Sequence, residues 1–116
     1  YLENDNDNAL GPVIKFFKNP ANDAEADDDT LGTIQFSGQD SDNNGTNYSE
    51  IVSLSQDVTA GAEAGSLTIY QLMAGNRRNM LDIKSSPAAD SGYVIINDDG
   101  QDVDFIVETS NDTHDY

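Results

Sequence analysis

Apolar and polar residues alternate inside short runs of this chain, and no run shows the three-and-four spacing of a helix. A period of two is the signature of strands, and it confines the chain to sheet architectures. The stretch from Gly11 to Gln56 carries the pattern best. Gly-Pro-Val-Ile-Lys-Phe-Phe-Lys-Asn-Pro leads into an acidic loop, then Leu31-Gly-Thr-Ile-Gln-Phe-Ser-Gly38. A second acidic loop follows, and then Thr46-Asn-Tyr-Ser-Glu-Ile-Val-Ser-Leu-Ser-Gln56. The loops are made of Asp, Asn, Ala and Gly, which stop strands and favour turns.

Seven strands are expected from this reading. Pro12 opens the first, Val13 to Lys18, where a missing N–H costs least. Val13 and Phe17 point one way and Ile14 and Phe16 the other, so both of its faces are expected to be covered. The second strand turns Ile34 and Phe36 inward and Thr33, Gln35 and Ser37 outward. The third divides Tyr48, Val52 and Leu54 from Ser49, Ile51, Ser53 and Ser55. Ser66 to Met73 and Arg77 to Lys84 form a pair joined by a tight turn at Ala74-Gly75-Asn76. Two short strands, Tyr93 to Ile96 and Val103 to Glu108, close the chain around Asn97-Asp98-Asp99-Gly100. Fold class is therefore all-β, an antiparallel β-sandwich or meandering sheet. A break from Pro87 to Gly92 divides a main sheet domain, residues 1–86, from a C-terminal hairpin segment, residues 87–116.

Charge narrows the function. There are 22 acidic residues against five basic ones, a formal net charge of −17. Such a surface repels nucleic acid, whose binding relies on clustered Lys and Arg, and it disfavours anionic membranes. It also strains the folded state by self-repulsion, which salt relieves. With 36% hydrophobic residues in 116 positions the core is thin, and assembly with other copies is one way to bury more apolar surface. No cysteine is present, so neither disulfides nor thiolate metal sites contribute. No apolar run approaches the ~18 residues of a membrane span, and no signal peptide is recognisable. The chain opens on Tyr1-Leu2-Glu3 without an initiator Met, as expected of a piece of a longer protein.

Carboxylates supply the candidate sites. Asp40, Asp42 and Asn44, followed by Gly45, match the opening of a calcium loop with oxygen ligands at alternate positions. The twelfth position, which should be a bidentate Glu, is Ile51, and Glu50 falls one short. Calcium on Asp40, Asp42, Asn44 and Glu50 therefore competes with a plain hairpin loop. Asp27, Asp28 and Asp29 with Glu25, and Asp98, Asp99, Asp102 and Asp104 around Gly100, are further acidic groups. A cation binding to either competes with solvated loops and self-capped turns. A glycosidase needs two carboxyls about 5–10 Å apart, one with a raised pKa, but there is no Trp to stack a sugar. His114, the only histidine, has no Ser or Cys partner phrase nearby. Of Arg77 and Arg78, alternation puts one on each face, where either can neutralise an acidic neighbour.

Several phrases resemble a module of tail-fibre and related virion proteins of bacteriophages, marine and cyanobacterial ones especially. They are Gly11 to Asn19, Asp29 to Gly38, Asn47 to Ile51, Asp57 to Ile69 and Val94 to Glu108, and their order and spacing cover most of residues 10–114. The resemblance implies a structural virion protein exposed to the extracellular medium. It would be a segment of a homotrimeric fibre or appendage for host attachment, partnered by other virion proteins and host-surface glycans, with no catalytic residues. The alternative is a calcium-dependent extracellular adhesin or surface-layer module of a marine or halophilic microbe.

Overall fold

The computed structural model describes residues 11–21, 25–86 and 91–106. Among the described residues five strands make one open antiparallel sheet in the order β1-β2-β3-β4-β5. They are β1 (Asp29–Gln39), β2 (Gly45–Asp57), β3 (Ala64–Met73), β4 (Asn76–Ser86) and β5 (Ser91–Ile96). Each strand pairs with its sequence neighbours only, so this is a meander, and no helix occurs among the described residues.

Turn chemistry sets the meander. Ala74 and Gly75 take φ of 48° and 78°, the left-handed pair of a type I′ turn, whose twist matches that of the flanking strands. Between β1 and β2, Asp40 organises its own loop: its Oδ1 accepts from the Asp42 and Asn44 N–H groups, each at 2.9 Å. Gly61, at φ 83°, turns the chain from β2 to β3.

Two of the seven expected strands do not form as drawn. Val13 to Lys18 pairs with no strand among the described residues. Instead Phe16 lies over the sheet at Gly32, so closely that a Cβ on Gly32 would stand 2.7 Å from the Phe16 ring. Two residues on, Lys18 reaches the Asp29 carboxylate at 2.6 Å. A run apolar on both sides thus spends one side chain on the sheet surface and leaves Val13, Ile14 and Phe17 largely in solvent. Val103 to Ile106 also stays off the ladder. The chain turns sharply after β5, where Gly100 donates to the Asn97 carbonyl and Val103 to that of Gln101. Val107 and Glu108 lie outside the described residues.

Register sorts the side chains onto two faces. On one, the row Ile34–Ile51–Ile69–Leu81–Ile96 crosses all five strands. A second row beside it runs Gly32–Ser53–Leu67–Ile83–Val94. The other face carries the rows Thr33–Val52–Thr68–Asp82–Ile95 and Gln35–Glu50–Tyr70–Asn79. The expected alternation is present, but its burial is inverted. Ile34 and Phe36, expected inward, are 41% and 55% exposed, whereas Thr68 and Asp82 are 2% and 1% exposed. Only Val52 and Ala64 are buried hydrophobic residues among those described. On the aliphatic face Phe16 covers only the Gly32 end, while the polar face is closed by its own long side chains.

Candidate functional site

The polar face is held by two groups of ions and hydrogen bonds. Asp82 accepts from the Thr68 hydroxyl across the β3–β4 pair, from Asn79 Nδ2 at 2.7 Å and from Lys84 Nζ at 2.8 Å. Burial pushes its carboxyl up, but the Lys84, Thr68 and Asn79 bonds outweigh burial and hold it below the ordinary Asp range. Lys84 is raised in turn, chiefly by its bond to Asp82. One row over, Arg77 Nε donates to Glu50 Oε2 at 2.6 Å, and the Gln35 and Asn47 amides donate to Glu50 Oε1. The Arg77 guanidinium also stacks on the Tyr70 ring, 3.2 Å from its centroid. Arg77 first, then Gln35, hold Glu50 below the usual Glu range.

A shallow cleft of about 180 Å³ sits at this end of the face, between Tyr48, Glu50, Tyr70, Leu72 and Arg77. Its carboxylate is already neutralised by Arg77. Glu50 and Asp82 both lie below the ordinary carboxyl range, so neither holds a proton at neutral pH to act as a general acid.

The residues singled out as calcium ligands are not brought together. Asp40, Asp42 and Asn44 form the β1–β2 turn, where Asp40 is occupied by backbone N–H groups and the Asn44 amide. Glu50 stands opposite Gln35, five residues along β2 from Gly45. A strand rises about 3.3 Å per residue, which carries Glu50 out of reach of the turn. Asp27 accepts from the Val58 N–H, while Asp29 takes Lys18 and the Ala26 N–H, so these neighbours serve separate partners. In the last turn Asn97, not an Asp, does the capping: it exchanges hydrogen bonds with Gln101, while Asp99 accepts from the Asn79 N–H. Among the described residues no three acidic or imidazole groups gather in a metal-holding cluster. His114 lies outside the described residues.

Sequence reasoning missed the Asp82 group. Its one legible signal was Asp82 and Lys84 two apart on a strand, hence on one face. That Thr68 stands across from them depends on register, which no local pattern carries.

The aliphatic face is the larger feature. From Gly32 to Val94 and from Ile34 to Ile96 its two rows hold no ionisable side chain, in a chain with 22 acidic residues. Charged groups stand at its margins, Arg78 opposite Gln71 and Asp29 opposite Ser55. In its surface is a dent of about 110 Å³ lined by Phe16, Gly32, Thr33, Ile34, Ile51, Ser53 and Leu67. No described helix is long and apolar enough to cross a membrane.

Comparison with known proteins adds no family: no family model, no curated protein and no solved structure matches the chain.

Proposed function

We propose that this chain is a structural, non-catalytic module that works by assembling with further copies of itself in an extracellular appendage. The observation that carries the reading is the aliphatic face, which Phe16 covers only at its Gly32 end. An apolar sheet surface this continuous marks an interaction site, and its freedom from charge in so acidic a chain makes another apolar surface its natural cover. The polar face supports the same view from the other side. Its ions satisfy one another, and the Glu50 carboxylate at the cleft is already paired with Arg77. Membership of a phage fibre or related virion appendage, with three copies around an axis, host attachment and contacts to host glycan, rests on the resemblance of Gly11 to Glu108.

Light scattering at moderate salt, with and without calcium, tests the assembly. A multimer whose mass is independent of calcium is expected. A cooperatively melting monomer at high micromolar concentration overturns the reading, and association only with calcium points to an adhesin instead.

A further inference from the structure

We infer that two copies of this chain join edge to edge, β5 against β5, antiparallel about a two-fold axis perpendicular to the sheet. The inference rests on the assembly reading above and adds a contact separate from the aliphatic face.

The two edges of the sheet are not alike. On β1 the ladder to β2 shifts register between Thr30 and Gly32 and again between Phe36 and Ser37. Phe16 and Lys18 lie against its first residues, at Gly32 and Asp29. Bulges and covers of this kind keep an edge from pairing. Among the described residues β5 carries neither. Its pairs to β4 run from Ser86–Ser91 to Leu81–Ile96 without a shift. Ser91 to Ile96 also holds no charge and no proline, in a chain with 22 acidic residues.

Register tells which backbone groups of β5 face outward. The Asn97 N–H donates to the Met80 carbonyl at 3.0 Å. Hydrogen-bonded and non-hydrogen-bonded pairs alternate along an antiparallel ladder, so Tyr93 and Ile95 direct their groups to Lys84 and Asp82 of β4. Gly92, Val94 and Ile96 therefore turn N–H and C=O away from β4, and among the described residues no strand meets them.

A second β5 is self-complementary to this row. With Val94 opposite Val94 of the other copy, Gly92 falls opposite Ile96 on either side, and every outward donor of both copies finds an acceptor. Sliding by two residues leaves outward groups unpaired. The perpendicular axis also keeps each face on its own side. The aliphatic row Ile83–Val94 runs on into Val94–Ile83 of the other copy, and on the polar face Tyr93 stands across from Ile95, an aromatic and β-branched pair of the kind that stabilises sheets. Parallel pairing would need the axis along the strands, which sets aliphatic face beside polar face. The first charged groups in register are Asp82 and Lys84 on β4, paired with each other, so no like charges oppose one another across the new ladder.

The chain has no cysteine of its own, so Tyr93→Cys and Ile95→Cys test the register. Across the junction 93 and 95 form a non-hydrogen-bonded pair with Cα atoms about 4.5 Å apart, within disulfide reach, whereas 93–93 and 95–95 are diagonal neighbours about 7–8 Å apart, beyond it. Mixed and oxidised, the two variants should give a 93–95 disulfide with a mass near 25 kDa, twice 12.5 kDa, and either variant alone should give little. In the unaltered chain the amides of Gly92, Val94 and Ile96 should gain protection from exchange as concentration rises, while those of Tyr93 and Ile95 are protected throughout. Val94→Lys sets like charges opposite each other at the axis and should weaken the pairing about tenfold, with an unchanged circular-dichroism spectrum. A multimer without the 93–95 disulfide overturns the edge contact and leaves the assembly reading standing. Amides at 92, 94 and 96 protected at every concentration also overturn it, because the edge is then already covered within one copy. A monomer overturns both.

Discussion

Two residues hold unfavourable states that the surrounding structure sustains. Ala74 sits at φ 48°, a conformation that L-residues other than Asn and Asp rarely adopt, at a cost of about 1–2 kcal/mol. Replacing it with Asn, to make the Asn-Gly pair that type I′ turns favour, should raise stability by about 1 kcal/mol. Urea denaturation checks this through an increased midpoint at constant slope. Asp82 is a charge almost fully out of water, sustained by three donors. Its folded-state pKa lies below the unfolded value of about 3.9. Its contribution is therefore fully present above that pH and is lost as pH falls through the lowered value. Asp82→Asn should cost about 1–3 kcal/mol at pH 7, and the gap to the parent protein should close towards pH 2. A gap independent of pH would show that shape, not charge, is what Asp82 supplies.

At the scale of elements, β5 depends on a close approach to β4. A Cβ on Gly92 would meet the Lys84 carbonyl oxygen at 2.7 Å, a contact with backbone that no rotamer relieves. Gly92→Ala should loosen β5, seen as faster amide exchange in 91–96 with little change in β2 and β3. Strand boundaries inside the meander were largely readable because alternation, turn residues and short loops agree with one another there. The runs at 13–18 and 103–106 are apolar as well but stay off the ladder. Joining a sheet edge takes a free edge and a chain path that reaches it. Phe16 over Gly32 and the turn after Ile96 direct those paths elsewhere.

For the whole molecule, 22 acidic residues against five basic ones set the dominant long-range force. Each copy carries a net charge of −17, so bringing copies together costs repulsion that salt screens within a Debye length of about 10 Å at 0.1 M. Association should strengthen from 20 mM to 500 mM NaCl, and equally with sodium and potassium salts. Sedimentation across that series measures it. Weaker association at high salt would mean that ion pairs, rather than the charge-free face, hold the copies.

Alternation alone was enough to set Ile34 against Thr33 and Ile51 against Val52, because side-chain direction in a strand follows position, whereas register decided which residues of different strands share a face. It could not say which set meets solvent, since that depends on whether a second layer exists. Nor could it place Glu50 beside Arg77, or Thr68 beside Asp82, because those neighbours are 27 and 14 residues apart and meet only through register. Asp40, Asp42 and Asn44 show the converse. Their spacing fits a cation loop and an Asp-capped turn equally, and only the closed hairpin aims the Asp42 and Asn44 N–H groups at Asp40. Local periodicity is encoded residue by residue, whereas burial and partnership arise only when distant strands are set side by side.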